Sequence, residues 1–541
     1  SSMKKIVFLL LLNILLFSCA RVGAPNGGTR DSLAPKFLGS NIDTTRLNVS
    51  RTVKELRLDF DEYVMLKDFN KNFNVSPPIK KIKKVIPSNL ANKYVLIQWE
   101  DTLQANTTYN FNFGNAIVDN NESNPLPYFN FAFSTGDKID DLFVSGTVKD
   151  AMTLIKENQT AKDNKMVVGL YKAGENLDYK QKPDYITKVD EENYFELNFL
   201  PKGEFVIIAF DDENQNSVYD AGKEKVSFLK EKITLDSTSV RGLKLKLYPS
   251  KKVVKYKESK AINGGLLMTF EGNPETVEVK SLSEELKDFK VTHAKRSDSV
   301  NIWFDAEKSN LGGTVSKQLK LSYFTPTISD TISVSYKAVK DEFKLSNEAG
   351  NLIAPENNFV INTSLPIENL NTSSWKLESD SIAQDFTAKI SEKNPFKILV
   401  NSSFKPTKKY VLTIPKETVS SYYSSNDKSF QFQFEIDKPE NYGSFTAVIK
   451  NKPTAKFWVE LTNEKGEILY SQFTNASEVS FKNLKPATYI ARIRVDNNGN
   501  GFWDEADFAQ NIAAEDVYIF EKEINVRPLW EIKEDWELTN R

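Results

Sequence analysis

Residues 109–113 read Tyr-Asn-Phe-Asn-Phe, and residues 129–133 read Phe-Asn-Phe-Ala-Phe. Successive side chains of a β-strand point to opposite faces, so this alternation places the aromatic rings of each segment on one face. Further segments of this kind, including Leu56-Arg57-Leu58-Asp59-Phe60, recur along the chain between clusters of Asn, Gly and Pro. Short alternating segments separated by turn residues are typical of β-sandwiches, and the sequence therefore predicts an all-β protein.

The composition indicates several domains and argues against some functions. A chain of 541 residues is too long for one core, and domains of roughly 100–200 residues imply three to five of them. The formal net charge of -2 leaves no electrostatic footprint for nucleic acid. One cysteine and one histidine exclude an intrachain disulfide and the common zinc sites. Only His293 remains for histidine-dependent catalysis, and we expect it to be a solvated strand or loop residue in a protein that is not an enzyme.

The N-terminal residues have the pattern of a cleaved leader. Met3-Lys4-Lys5 is followed by an apolar run up to Phe17 and then by Ser18 and Cys19. That run is too short to cross a bilayer as a helix, which needs roughly 20 residues. Leu16-Phe17-Ser18-Cys19 resembles the lipobox of bacterial lipoproteins, which implies cleavage before Cys19 and a covalent lipid on Cys19. The alternative is an ordinary secretory leader with an incidental cysteine.

The first part of the body resembles a known domain. Phe60-Asp61-Glu62-Tyr63-Val64, Asn106-Thr107-Thr108-Tyr109 and Phe133-Ser134-Thr135-Gly136 are similar to motifs of the bacterial Ig-like domain of the S-layer protein type. The resemblance covers residues 35–137 and implies a seven-stranded sandwich without catalytic activity. Residues 346–437 resemble this segment in turn.

Two other segments resemble the small prealbumin-like β-sandwich of carboxypeptidase regulatory domains. The core of the first runs from Phe195 to Phe210, and the second aligns with it without a gap, so that Leu200 matches Leu484, 284 residues later. The resemblance covers the regulatory sandwich only and does not extend to the zinc peptidase domain, so it implies no peptidase activity. The residues between these segments include Ser281 to Phe289, the one stretch with helical character.

The expected organisation is one of tandem Ig-like and prealbumin-like β-sandwiches in an extended multidomain chain, with an internal duplication around a middle domain. The predicted segments are a signal peptide (1–18), a flexible tether (19–34), a first Ig-like domain (35–137), a first regulatory-like domain (138–249), a β-rich middle domain (250–345), a second Ig-like domain (346–437) and a second regulatory-like domain (438–541).

Two loops rich in Asp and Asn occupy equivalent positions in the regulatory-like domains. Residues 212–220, the first loop, and residues 496–504, the second loop, both follow the pattern D-x-N-x-N-x-x-x-D. Calcium takes six to eight oxygen ligands, and Asp or Asn at positions 1, 3, 5 and 9 of a tight loop can supply them. The sequence therefore predicts structural calcium sites with ligands Asp212, Asn214, Asn216, Asp220 and Glu224 in the first loop and Asp496, Asn498, Asn500, Asp504 and Asp507 in the second.

The second loop is the better match to a calcium loop. Gly501 at position 6 suits a sharp turn and Asp507 falls at position 12, whereas Lys223 stands at position 12 of the first loop and Glu224 comes one residue late. The flanking segments are strands, so the loops resemble those of B-type repeats in Gram-positive surface proteins rather than helical EF-hands. The alternative is a hairpin turn without metal, because Asn and Asp favour turns.

The whole chain resembles a group of lipoproteins from the Bacteroidota. The marks are the Cys19 leader followed by Gly27-Gly28, the segment ending Ser134-Thr135-Gly136, and the tail Val526-Arg527-Pro528-Leu529-Trp530-Glu531. We expect a non-enzymatic structural or binding subunit, lipid-anchored in the outer membrane, whose partner is an outer-membrane barrel-protein complex that assembles or exports proteins. The alternative is a surface module that binds glycan or extracellular matrix. We favour the cell surface over the periplasmic face, although Ala20-Arg21-Val22-Gly23 lacks the acidic cluster of some surface lipoproteins.

Overall fold

The structure is a computed structural model that describes residues 29–155, 164–340 and 342–539. Strands dominate these residues, which contain one short α-helix, α1 (Phe69–Asn72), and one 3₁₀ turn (Pro439–Asn441). The predicted all-β class is confirmed. None of the helices in the described ranges is long and apolar enough to cross a membrane. Cys19, the leader before it and most of the tether lie outside the described residues.

The described residues form two compact units. The first ends at Asp141 and also takes in Phe199–Pro201, and the second contains Leu142–Asn198 and the chain from Lys202 onward. The first unit is one β-sandwich and the second is a set of β-sandwiches, and both are built from short, mostly antiparallel sheets.

The first unit is a sandwich of two antiparallel sheets. Its strands are β1 (Phe37–Ser40), β2 (Glu55–Leu66), β3 (Asn74–Ser76), β4 (Ile82–Ile86), β5 (Asn92–Trp99), β6 (Thr108–Gly114), β7 (Ile117–Asp119) and β8 (Phe129–Ser134). One sheet has the order β1-β2-β5-β4, with β7 also paired to β2, and the other has the order β3-β6-β8. The alternating segments form β6 and β8, and Phe111, Phe113, Phe131 and Phe133 are buried in the core, as the period of two predicts.

The second unit begins with the segment predicted as the first regulatory-like domain, and that label is kept for it below. Its strands are β9 (Leu142–Asp150), β10 (Met166–Lys172), β11 (Tyr185–Lys188), β12 (Tyr194–Leu200), β13 (Gly203–Asp211), β14 (Val226–Phe228), β15 (Ile233–Leu235) and β16 (Val240–Leu247). They form the sheets β12-β9-β16 and β11-β10-β13-β14, with β15 also on β13. The last strand, β16, pairs parallel with the first, β9.

The middle domain is a smaller sandwich. Its strands are β17 (Lys255–Ile262), β18 (Gly265–Glu271), β19 (Glu278–Ser281), β20 (Lys290–Thr292), β21 (Ser299–Trp303), β22 (Lys317–Phe324) and β23 (Ser329–Tyr336), in the sheets β17-β18-β21-β20 and β19-β22-β23. The expectation of a helix at Ser281 to Phe289 is wrong. Ser281 continues β19 in register with Leu321, and a single turn after it returns Leu286, which is fully buried, to the core. One buried apolar residue anchors a loop but does not provide the apolar stripe of a helix.

The second Ig-like domain is formed by many short strands. They are β24 (Leu345–Asn347), β25 (Leu352–Ile353), β26 (Phe359–Thr363), β27 (Asn369–Leu370), β28 (Lys376–Ser379), β29 (Ile382–Ala383), β30 (Phe386–Ile390), β31 (Lys397–Ser402), β32 (Lys409–Ile414), β33 (Val419–Ser420) and β34 (Phe430–Ile436). The two main sheets have the orders β24-β26-β31-β30 and β25-β34-β32-β28-β29. Strand β24 straddles the expected boundary between residues 345 and 346, and the predicted boundaries stay predictions.

The second regulatory-like domain has the strand order of the first. Its strands are β35 (Gly443–Lys450), β36 (Phe457–Thr462), β37 (Ile468–Thr474), β38 (Glu478–Leu484), β39 (Ala487–Val495), β40 (Val517–Ile519), β41 (Ile524–Val526) and β42 (Glu531–Glu537). They form the sheets β38-β35-β42 and β37-β36-β39-β40, with β41 on β39 and β42 parallel to β35. Every strand therefore has a counterpart in β9–β16, and the loops after β13 and β39 are structurally equivalent.

Candidate cation loops and their junction

The first and second loops share one backbone conformation. Asp212 directly follows β13 and Asp496 directly follows β39. Positions 4 and 6 are left-handed in both loops, with φ values of 57° and 62° in the first and 70° and 81° in the second. Glycine adopts this conformation at no steric cost, and the second loop has Gly501 at position 6 where the first has Ser217. The sharp turn inferred from Gly501 is therefore present in both loops.

Matching hydrogen bonds turn the side-chain oxygens inward. The carboxylate at position 1 accepts the backbone N–H at position 6, from Ser217 to Asp212 Oδ2 at 3.0 Å and from Gly501 to Asp496 Oδ2 at 2.9 Å. The amide oxygen at position 5 accepts the N–H at position 7 at 2.9 Å in each loop. The two loops therefore have the same backbone conformation and matching internal hydrogen bonds.

A glutamate closes each loop from the following strand segment. Glu224 accepts the backbone N–H of Asp220 at 2.7 Å, and Glu515 accepts that of Asp504 at 2.8 Å. Glu224 also accepts an N–H from Glu213 at 2.8 Å, as Glu515 does from Asn498 at 3.2 Å. The sequence comparison missed Glu515 because it used no gap. The shared pattern Glu-x-Val at 224–226 and 515–517 is the signal that an alignment with an insertion would have found.

Residues 505–514, here called the docking insert, separate Glu515 from the second loop. Glu224 follows Asp220 by four residues, whereas Glu515 follows Asp504 by eleven. Asp507, expected at position 12, lies in this insert, where it exchanges both backbone hydrogen bonds with Ile512 at 2.9 Å and its Oδ1 accepts Gln510 N at 3.3 Å. The hydrogen bonds that close the second loop are therefore accepted by Glu515.

The docking insert packs on the first regulatory-like domain, within the second compact unit. Phe508 is 8% exposed, and its ring centroid lies 4.5 Å from that of Tyr179 and 5.2 Å from that of Phe228. Ala506 donates its N–H to Pro249 O at 3.0 Å and accepts one from Lys251 at 2.8 Å. The expectation of an extended chain did not include this contact between the two regulatory-like domains.

A cavity of about 1630 Å³ lies where these two domains meet the middle domain. Asn216 and Asp220 of the first loop and Asn498 and Asp504 of the second are among the residues that line it, as is Arg296 of the middle domain. Both loops therefore border the same space, which the sequence could not reveal.

The first loop holds a buried carboxylate oxygen without a partner. Asp212 is 5% exposed, and its Oδ1 has no hydrogen-bond partner among the described residues. Burial raises the pKa of Asp212. Burial, together with the nearby charges of Asp212 and Asp220, raises the pKa of Glu224 to about 7. The first loop thus brings together carboxyl groups whose charged forms are disfavoured by burial.

The second loop is balanced by a cation from another domain. Arg296 Nη1 lies 2.6 Å from Asp504 Oδ1, and Arg296 Nε lies 2.7 Å from Glu275 Oε1. Burial of Asp504 is outweighed by hydrogen bonds from Asn498, Asn500 and Arg296, which lower the pKa of that carboxyl. Arg296 carries no sequence signal for this role, because it comes from the middle domain.

In the described ranges no group of three or more His, Cys, Asp or Glu side chains is placed to hold a metal. Amide and backbone oxygens would have to complete any cation site at these loops, and calcium binding at either loop stays a prediction. His293 follows β20 in a loop, half-buried, with Nε2 2.8 Å from Ser297 O. The proposed lipid attachment at Cys19 lies outside the described residues.

Comparison with known proteins identifies one domain. The family described as Bacterial Ig-like domain matches residues 31–135, the region of β1–β8. This chain therefore contains a bacterial Ig-like domain, as the sequence motifs indicated. No curated protein matches the chain.

Several solved structures match the chain at low sequence identity and low TM-score. The S-layer protein rSbsC(31-844) is 12% identical, with a TM-score of 0.15 over 91% of this chain and 67% of that chain. SGBP-B of the Bacteroides ovatus mixed-linkage glucan utilization locus, in complex with a heptasaccharide, is 11% identical, with a TM-score of 0.18 over 63% of this chain and 87% of that chain. The Bacillus cereus major pilin subunit BcpA is 12% identical, with a TM-score of 0.13 over 74% and 99%. At these TM-scores the similarities carry no argument about function.

Proposed function

We propose that this protein is a non-enzymatic structural or binding lipoprotein subunit at the outer membrane. The observation that carries the proposal is the bacterial Ig-like domain at residues 31–135, followed by a second unit made of β-sandwiches. Its one histidine, His293, is hydrogen-bonded to a backbone carbonyl within its own loop, which supports a non-catalytic role. Sandwiches of this kind present sheet faces and loops to a partner.

The proposed anchor is a lipid on Cys19, and the proposed partner is an outer-membrane barrel-protein complex that assembles or exports barrel proteins or surface lipoproteins. More than one acyl chain is needed for stable membrane attachment. The cell surface is the proposed location, ahead of the periplasmic face. In the tail, Leu529 is 69% exposed and Trp530 is 49% exposed. Exposed apolar pairs of this kind are candidate contacts with a protein partner.

Affinity purification from gently solubilised membranes tests the proposal. We expect the tagged full chain to retain a barrel protein in stoichiometric amount, and Trp530→Ala to reduce the retained amount. The matched control is Leu352→Ala, since Leu352 is 51% exposed but lies on β25, outside the tail. Retention of a glycan without a barrel protein would instead favour the alternative, a glycan- or matrix-binding surface module.

A further inference from the structure

The two loops, although built alike, differ in whether their oxygens are satisfied. In the second loop, the oxygens of the position 1, 3, 5 and 9 side chains all accept hydrogen bonds. The donors are Asn500 N and Gly501 N to Asp496, Asn500 N to Asn498, Phe502 N to Asn500, and Asn498 Nδ2, Asn500 Nδ2 and Arg296 Nη1 to Asp504. In the first loop, Asp212 Oδ1 is buried and no donor lies in hydrogen-bonding geometry with it, although the Asn216 backbone N–H, the counterpart of Asn500 N, still favours the charged carboxylate. Leaving a buried acceptor without a hydrogen bond costs about 1–3 kcal/mol, and more when the group is charged.

The unpartnered oxygen belongs to a loop that carries three further side chains with oxygen atoms. The second oxygen of the same carboxylate, Asp212 Oδ2, accepts the N–H of Ser217 from across the loop. The carboxylate therefore faces the concave side of the turn that also carries Asn214, Asn216 and Asp220 at positions 3, 5 and 9. A hard cation with oxygen ligands would satisfy Asp212 and offset the charge of its neighbours.

In the second loop, Asp504, the equivalent of Asp220, is already paired with a positive charge. The Arg296 guanidinium bonds Asp504 Oδ1 at 2.6 Å and Glu275 at 2.7 Å, and it lies 4.4 Å from the centroid of the Phe502 ring. Its side chain is only 21% exposed. In the first loop, the cation beside Asp220 is the Lys223 ammonium, which is 75% exposed and 3.9 Å from Asp220 Oδ2. An exposed ion pair at that distance contributes little stabilisation, and the lysine side chain can move aside.

We propose that the first loop binds one calcium ion and that the Arg296 guanidinium takes the place of a second ion at the second loop. The ligands in the first loop are Asp212, Asn214, Asn216 and Asp220, and the Val218 carbonyl at position 7 and water complete the shell. This assignment reverses the ranking that the sequence predicts for the two loops. It is independent of the proposed function.

Calcium titration of the full chain, followed by calorimetry and equilibrium dialysis, tests the proposal. We expect one ion per chain with a Kd of about 10⁻⁴–10⁻³ M, the range of extracellular modules. Asp212→Asn should abolish binding, whereas the matched substitution Asp496→Asn in the second loop should leave one ion bound. Asn214→Ala, at an exposed position, should weaken binding at least about tenfold without affecting folding.

The role of Arg296 is tested with a substitution that should create a second calcium site. Arg296→Gln frees Asp504 Oδ1 and should raise the number of bound ions from one to two. The matched control is Lys295→Gln: Lys295 is adjacent and lies 3.8 Å from Glu275, and this variant should still bind one ion. The proposal would be overturned if the wild-type chain bound two ions or bound none in millimolar calcium. It would also be overturned if Asp496→Asn lost binding while both Asp212→Asn and Asn214→Ala kept it. One ion in Arg296→Gln would overturn the role of the arginine.

Discussion

At the scale of single residues, burial decides which charged groups matter to this protein. Glu460 on β36 lies directly across from Arg492 on β39, and its Oε1 accepts from Arg492 Nε at 3.1 Å and from Arg494 Nε at 2.7 Å. The Glu460 side chain is 1% exposed and that of Arg492 is 7% exposed. Removing one partner of a buried ion pair typically costs about 3–5 kcal/mol, because the remaining charge stays buried without compensation.

Glu460→Gln should therefore loosen β36 and β39. We expect amide hydrogen exchange in these strands to accelerate, since the substitution leaves two guanidinium groups facing a neutral amide. The control is Glu440→Gln in the exposed 3₁₀ turn, which should exchange like the wild type. Unchanged exchange of β36 and β39 in a Glu460→Gln protein would show that the ion pairs do not hold the strands together.

At the scale of elements, the duplication was predictable and its divergence was not. The D-x-N-x-N-x-x-x-D pattern located both loops, because turn chemistry and ligand chemistry are local properties of sequence. Glu515 was missed because the docking insert moves it seven positions further from its loop than Glu224. Arg296 could not be found from the loop sequences, since its place beside Asp504 depends on how the middle domain packs.

The docking insert should hold the two regulatory-like domains together chiefly through Phe508. Phe-to-Ala substitutions in protein cores cost about 3–5 kcal/mol, and we expect Phe508→Ala to approach the lower end. Limited proteolysis should then cleave residues 505–514 faster than in the wild type. Gln510→Ala is the control, because Gln510 is exposed in the same insert. Equal cleavage rates in Phe508→Ala and the wild type would mean that the insert is held by its backbone bonds alone.

At the scale of the whole molecule, periodicity predicted the class of fold but not the packing of domains. Segments such as residues 109–113 determine strand faces locally, and the aromatic residues are buried as expected. Contacts such as Phe508 with Tyr179 join residues far apart in the chain and depend on surface complementarity, which leaves no periodic signal. The helix expected at Ser281 to Phe289 failed for a related reason, since pairing of Ser281 with Leu321 overrides local preference.

The proposed lipid anchor on Cys19 is tested most directly by fatty-acid labelling. Cells that express the full chain are grown with an alkyne-bearing fatty acid, and the labelled protein is detected after membrane fractionation. We expect label and membrane association for the wild type and for Ser18→Ala, which keeps a small residue before Cys19. Cys19→Ala should lose the label. If Cys19→Ala is labelled and fractionates like the wild type, the account of this protein as a lipoprotein is contradicted.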